Sequence, residues 1–210
     1  MSYVSGDGKP RQKIALFLIG EIIFLALVYV GTNLSDDLKL PALSVFRIIS
    51  LVGLGIELYA LFKLRQYDTG YIVGFVFAVI TGIFLIIGLT FYFLDDYKIF
   101  TFKYLDSTIN ICSLVEGTAE TLTMLLFVRA TNRLAQQSYK GMPKLTLILT
   151  IAFIVCLVAD VLESLALIFN FTITNVFIGE LLAKVVNLAA IVKFVGVIIF
   201  LAYALNNIKD

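Results

Sequence analysis

Histidine is absent from the 210 residues of this chain. Haem ligation, zinc or di-iron hydrolysis and desaturase chemistry all draw on imidazole, so the chain is a poor candidate for those enzyme classes. No GxSxG, HExxH or P-loop motif is present either, and we predict no enzyme activity and no cofactor. The two cysteines, Cys112 and Cys156, lie in apolar segments without CxxC spacing, which predicts free, buried thiols.

Charged residues are also scarce. They make up 15% of the chain, whereas a soluble domain carries about 25%, and 60% of the residues are hydrophobic. This composition predicts an all-α integral membrane protein whose surroundings are the lipid bilayer. No polar stretch is long enough to form a separate soluble domain, and the near-neutral net charge of +1 gives no indication of nucleic-acid binding.

Six apolar runs have the length of a membrane-spanning helix. The segments between them are short and contain Gly, Pro, Asn and Asp, which favour turns. The last run measures about 46 Å as a helix, so we expect it to tilt or to begin as an interfacial turn. We predict six transmembrane helices arranged as three hairpins. The runs cover 14–32, 42–64, 71–94, 104–130, 144–170 and 175–205, within a transmembrane domain 14–205 that lies between an N-terminal segment 1–13 and a C-terminal tail 206–210.

Basic residues in the connections predict the orientation of these helices. Ten Lys and Arg fall on one side of the predicted bundle and three on the other. Because Lys and Arg collect on the cytoplasmic side, we predict that both termini are cytoplasmic, and we expect the plasma (inner) membrane of a prokaryote. The larger group is Lys9, Arg11, Lys13, Lys63, Arg65, Arg129, Arg133, Lys140, Lys144 and Lys209, and the smaller is Lys39, Lys98 and Lys103.

The third run contains four small residues at four-residue intervals, here called the small-residue ridge: Gly70, Gly74, Ala78 and Gly82. This spacing places them on one face of a helix, where another helix can approach closely. Two interpretations stay open. The ridge packs against a neighbouring helix of the same chain, or it docks a second copy of the chain or a second membrane subunit.

Ionisable residues at membrane depth are mostly acidic. An acid at the centre of a bilayer costs about 2.5–3.5 kcal/mol on insertion scales, so a set of them requires compensation. A buried carboxyl can keep its proton, hydrogen-bond to another helix or bind a cation. The acids at this depth are Glu21, Glu57, Glu116, Glu120, Asp160 and Glu163, and the one clear base is Lys193.

Helical spacing puts the polar residues of the fourth run on one stripe and the two acids of the fifth run on one face. A shared polar site explains this pattern better than structural hydrogen bonding, because neighbouring carboxylates repel and Gln or Asn would serve that purpose better. Lys184 lies opposite Lys193 on the sixth run and is expected to point outward. The predicted binding residues are Glu116, Glu120, Asp160, Glu163, Glu57, Lys193, Asn110 and Ser113.

These features favour a small polytopic transporter or channel subunit, with an acidic mid-membrane site for a proton, a metal cation or a cationic substrate. The alternative is a non-transporting membrane interaction protein, such as a sensor, immunity or defence component, that oligomerises or docks a partner through the small-residue ridge. The placement of the carboxyls separates the two. A shared polar site favours transport, whereas dispersed helix contacts favour a structural role.

Overall fold

The computed structural model describes residues 9–34, 41–96, 105–137, 143–168 and 176–208. Within these ranges the chain forms six α-helices and no strand. The predicted all-α fold with six helices is therefore confirmed. The helices are α1 (Pro10–Leu34), α2 (Pro41–Leu64), α3 (Thr69–Asp96), α4 (Leu105–Gln137), α5 (Pro143–Ile168) and α6 (Val176–Asn207).

The helix ends follow local chemistry. All three prolines of the chain begin a helix, at Pro10, Pro41 and Pro143, because a proline at the first helical position loses no hydrogen bond and has its φ preset. At the other extreme, α4 continues seven residues beyond the predicted run 104–130. The extension is polar, but Thr131 and Ala135 within it are fully buried, so packing on neighbouring helices extends α4 past its apolar segment.

Each helix packs against the next along the chain, and α1 closes the ring by packing against α6. Because consecutive helices run antiparallel, the starts of α1, α3 and α5 lie at the same end as the ends of α2, α4 and α6. Two contacts mark this end: the Tyr71 hydroxyl hydrogen-bonds to that of Thr131 at 3.0 Å, and the Lys13 ammonium lies over the Tyr59 ring. We call it the basic end.

Four buried aromatic rings fill the interior toward the basic end, and we call them the aromatic layer: Phe17, Tyr71, Phe127 and Phe200. Phe127 of α4 is central. Its ring stacks on Phe17 of α1 with 3.8 Å between centroids, and it meets Tyr71 and Phe200 edge-on at 5.7 and 6.4 Å. Aromatic pairs in these geometries add to the stability gained by burial. The layer joins α1, α3, α4 and α6 and fills the space between them.

Helices α1 and α2 touch backbone to backbone at Gly20 and Gly53. A Cβ built on Gly53 would lie 2.7 Å from the Gly20 carbonyl oxygen and 2.8 Å from the Phe24 nitrogen. A Cβ on Gly20 would lie 2.8 Å from the Gly53 carbonyl oxygen. Only glycine allows two helices to approach this closely, so this pair sets the spacing of α1 and α2.

The small-residue ridge of α3 faces other helices of the same chain. A Cβ on Gly70 would lie 2.9 Å from the Arg133 guanidinium of α4, and one on Gly82 would lie 3.1 Å from Leu54 of α2. Ala78 is buried, and the Thr123 hydroxyl of α4 reaches the Gly74 carbonyl oxygen at 3.4 Å. These contacts correspond to internal packing, the first of the two interpretations of the ridge.

Asp68 joins the turn after α2 to the end of α4. Its Oδ1 accepts the Gly70 backbone N–H at 2.7 Å, which caps the start of α3. Its two oxygens also accept from Arg133 Nε and Nη2 at 2.8 and 2.5 Å, a bidentate ion pair. The pair ties α3 to the polar extension of α4 at the basic end.

Two helices are long and apolar enough to cross a membrane: α3 over Thr69–Leu94 and α4 over Ser107–Gln137. Shorter apolar stretches occur in α5 over Pro143–Ala159 and in α6 over Ile191–Asn207. Two candidate membrane-spanning helices are thus present in the described part of the chain. The crossing of the other four stays a prediction.

Several sequence predictions fall outside the described residues. Residues 1–8, most of the predicted N-terminal segment, and residues 209–210, the end of the predicted C-terminal tail, belong to this group. Four of the connecting segments, including the three basic residues assigned to the outer side, belong to it as well. The expected interfacial turn before the last helix also falls partly there, although α6 is continuous from Val176 onward.

The Gly20–Gly53 contact predicts opposite effects for two nearby glycines of α2. Gly53→Ala should lower the free energy of unfolding by about 1–3 kcal/mol, because the new methyl group meets backbone atoms that cannot rotate away. Gly55→Ala is the matched control, since a Cβ there meets nothing within 4 Å, and it should be neutral or stabilising by up to about 1 kcal/mol. Thermal unfolding in detergent measures both. Equal effects of the two variants would contradict the close contact.

Asp68 allows its two roles to be separated. Asp68→Asn keeps an effective helix cap and loses only the ion pair, which should cost less than about 1 kcal/mol because Arg133 is 52% exposed. Asp68→Ala loses the cap as well and should cost about 1 kcal/mol more. Arg133→Gln should match Asp68→Asn in the same unfolding assay. If Asp68→Asn costs as much as Asp68→Ala, the capping role is wrong.

Candidate functional site

Four ionisable side chains meet in the interior, and we call them the carboxyl cluster: Glu21 of α1, Glu57 of α2, Glu120 of α4 and Lys193 of α6. Their exposed fractions are 0%, 2%, 7% and 9%. Each comes from a different helix, so the cluster joins four of the six. Charged side chains are almost never buried to this extent unless they are paired or functional.

Glu120 and Lys193 form the ion pair of the cluster. The Lys193 ammonium donates to Glu120 Oε2 in a short contact. The hydroxyl of buried Thr121 lies 3.4 Å from the same oxygen. This pair crosses the ring between α4 and α6, and it balances one of the three carboxylates with the one ammonium of the cluster.

The other two carboxyls have no such partner. The Glu21 carboxyl lies within electrostatic range of Glu57, Glu120 and Lys193, and that of Glu57 lies within range of Glu120 and Lys193. Yet both Glu21 oxygens, together with Oε1 of Glu57 and of Glu120, lack a hydrogen-bond partner of ordinary geometry among the described residues. Buried acceptors without donors are costly. With every group ionised the cluster would carry a formal charge of −2, so it lacks positive charge or protons.

The glycine contact between α1 and α2 places the two unpaired carboxyls together. Gly20 precedes Glu21 directly, and a Cβ on Gly20 would lie 3.0 Å from Glu57 Cγ. The Glu57 side chain therefore passes over the space that a side chain at position 20 would fill. Local sequence thus explains the site: glycines let α1 and α2 approach, and the approach brings Glu21 and Glu57 side by side.

The structure distributes the predicted site residues unevenly. Glu57, Glu120 and Lys193 lie in the carboxyl cluster, and Lys184 is exposed whereas Lys193 is buried. The predicted partners on α4, namely Glu116, Ser113 and Asn110, are half-buried and lead away from Glu120 toward the end opposite the basic end. Glu116 lies beside Cys112 on its own helix. The side chains of Asp160 and Glu163 lie outside the described residues.

Glu21 is the member of the cluster that sequence reasoning left out of the predicted site. Glu21 is an acid at membrane depth, but it stands alone on the first apolar run, where no second polar residue lies at helical spacing from it. Its neighbour Gly20 was the available signal. A glycine beside a buried acid, with a second glycine four residues before another acid (Gly53 before Glu57), indicates two helices that approach closely at their acids.

A separate groove of about 260 Å³ lies between α3 and α4. Its lining is apolar apart from the Thr118 hydroxyl, and no member of the carboxyl cluster contributes to it. The groove and the cluster are therefore distinct features. The lining residues are Phe77, Ile80, Leu114, Val115, Thr118, Ala119 and Leu122.

The carboxyls of the cluster do not have the arrangement of a metal site. Among the described residues, no group of three or more His, Cys, Asp or Glu is placed to hold a metal ion. No family model, curated protein or solved structure matches this chain. The chemistry of the cluster itself, a buried excess of carboxyls, is thus the basis for a functional proposal.

The ion pair predicts a non-additive response to mutation. Lys193→Gln should lower the free energy of unfolding by about 3–5 kcal/mol, because it leaves Glu120 as a third buried carboxyl without its ammonium. Adding Glu120→Gln to that variant should recover part of the loss, since the uncompensated charge is then removed. A double-mutant cycle from thermal unfolding measures the coupling. Lys184→Gln, at an exposed lysine of the same helix, is the control. Additive effects of the two cluster mutations would contradict the pair.

Proposed function

We propose that this chain is a multi-pass membrane protein in which all six helices cross the bilayer. The outward surface supports this proposal, because large apolar side chains point out of the bundle on several helices besides α3. On α5 the exposed ones include Leu147, Ile151 and Val158, and on α6 they include Leu188 and Val195. A soluble protein rarely exposes apolar surface on this scale, whereas lipid acyl chains cover it at no cost.

We further propose that the carboxyl cluster binds a cation as part of a transporter or channel subunit. The observation that carries the proposal is the imbalance of the site: three buried carboxyls, one ammonium, and carboxyl oxygens without donors. Intramembrane acids of this kind typically mark ion or proton pathways. A bound positive species would supply the missing charge, and hydrogen-bond glue alone would leave these oxygens unsatisfied.

The proton is the cation that fits the cluster best. A proton needs no coordination shell, and one placed between the Glu21 and Glu57 carboxyls would turn two acceptors into a donor–acceptor pair. A metal ion needs several converging ligands, which the described carboxyls do not provide. The substrate coupled to such a proton would be a small molecule or ion, and no group in the cluster suggests catalysis.

The surroundings of the cluster favour access from one side. Toward the basic end the aromatic layer intervenes: Phe17 lies four residues before Glu21, and Phe127 lies seven residues after Glu120, about 6 and 10 Å along the helices. Away from that end, Ser113 and Asn110 provide a half-buried polar stripe on α4. In this conformation the cation would therefore enter from the end opposite the basic end. With the basic end in the cytoplasm, that is the outer side.

Proton occupancy of the cluster can be tested without knowing the substrate. Dicyclohexylcarbodiimide reacts with buried carboxyls that carry a proton, so it should label Glu21 or Glu57 in membranes. Labelling should decline as the pH is raised, because the reactive form is lost. Peptide mass spectrometry locates the label, and Glu21→Gln and Glu57→Gln should each reduce it. Asp68→Asn, which removes a carboxyl at the basic end, away from both the cluster and the polar stripe of α4, is the control and should leave the label in place.

Proton movement is the second readout of the same proposal. Vesicles containing the purified chain should dissipate an imposed pH gradient, either alone or after candidate substrates are added. A pH-sensitive dye trapped inside the vesicles measures this. Glu21→Gln and Glu57→Gln should reduce this to the level of empty vesicles, whereas Asp68→Asn, at the basic end, should not. Absence of labelling together with full activity of both cluster variants would refute the proposed site.

A further inference from the structure

Two cations share one exposed tyrosine ring at the basic end. The ammonium groups of Lys13 on α1 and Lys63 on α2 lie 5.5 and 5.8 Å from the centre of the Tyr59 ring. Tyr59 is 50% exposed and lies five residues before the end of α2, about 7.5 Å along the helix. This is the depth at which tyrosine rings lie between the acyl chains and the headgroups of a bilayer.

Within the described part of the chain, no carboxylate balances the charge of this patch. A third cation, Arg65, lies over the neighbouring Phe62 ring at 3.8 Å. The sequence has a single acid in 9–20 and 58–94, Asp68, and that acid is paired with Arg133 on the far side of α3. Among the described residues no carboxylate pairs with either lysine. Like charges brought together on one ring are stable when an anion lies between them.

The surface that leads to this patch is shaped for an acyl chain. Ile48, Val52, Gly55 and Tyr59 follow each other at helical spacing on α2 and all are exposed. Nothing lies within 4 Å of the space where a Gly55 side chain would be, so this position is a dip in an otherwise apolar stripe. The stripe ends at the two ammonium groups. Apolar chain and anionic head are thus accommodated in one line, which is the shape of a phospholipid.

We propose that Lys13, Lys63 and Tyr59 bind the phosphate of an anionic phospholipid in the leaflet at the basic end, with an acyl chain on the α2 stripe. The lysines supply charge, and the tyrosine hydroxyl supplies a hydrogen-bond donor. A soluble anion would also satisfy the charge, but it would leave the apolar stripe unused. The site lies apart from the carboxyl cluster. It rests on the membrane placement proposed above, and it requires no cation transport.

The test compares lipids and lysines. The full chain, purified in a neutral detergent, is titrated with phosphatidylglycerol, phosphatidylcholine or inorganic phosphate, and bound lipid is counted by native mass spectrometry while thermal unfolding is followed. Phosphatidylglycerol alone should bind and raise the unfolding temperature. Lys13→Gln and Lys63→Gln should each weaken its binding about fivefold, and the double variant more. Tyr59→Phe keeps the ring and should show a smaller loss.

Lys144→Gln is the matched control, since it removes an exposed lysine at the basic end of α5, and it should leave lipid binding unchanged. Equal losses from Lys144→Gln would show general surface charge and overturn the site. An equal shift with inorganic phosphate, or equal binding of phosphatidylcholine, would overturn it as well. Circular dichroism checks that each variant is folded. Reconstitution into vesicles tests the membrane placement separately. A chain that fails to insert would contradict that placement, whereas a chain that inserts but does not prefer phosphatidylglycerol in the titration contradicts only this site.

Discussion

The ion pair between Glu120 and Lys193 is the interaction on which the interior of this bundle depends. Lys193 is the one ammonium in a cluster that also holds Glu21, Glu57 and Glu120, each from a different helix. The pair ties α4 to α6 across the ring of helices, where few other contacts join them. Without it three buried carboxyls would lie close together with no ammonium beside them, and their repulsion would act on every helix that carries one.

The backbone explains why the carboxyls meet at this place. Gly20 and Gly53 bring α1 and α2 into direct contact, and their neighbours Glu21 and Glu57 follow that approach. The aromatic layer around Phe127 then fills the interior toward the basic end. Close packing on one side and a polar stripe on the other give the bundle two unlike halves. Such asymmetry is what a site with access from one side requires, and it follows from the order of small, aromatic and polar residues along each helix.

Much of the fold could be predicted from the sequence, because long apolar runs separated by short turn-like segments are visible by inspection, and each run corresponds to one helix. The helix ends were harder to predict. The polar extension of α4 past residue 130 depends on tertiary contacts, namely the burial of Thr131 and the Asp68–Arg133 pair. The site divides similarly. Depth and helical face identified Glu57, Glu120 and Lys193. They could not identify Glu21, because one sequence does not state which helices are neighbours. Helix α1 reaches the cluster through its packing on α6, its glycine contact with α2 and the stacking of Phe17 on Phe127 of α4.

Charge imbalance at a helix junction couples occupancy to packing. With a cation or proton bound as we propose, the Glu21 and Glu57 carboxyls would attract a common partner and hold α1 and α2 together at their close contact. With the proposed site empty and its carboxyls ionised, Glu21 and Glu57 would repel each other and Glu120, and the pair with Lys193 would offset only part of this repulsion. A ligand that binds one arrangement more tightly than another shifts the population toward it. If the cluster binds a cation as we propose, binding changes which helix packing is most stable.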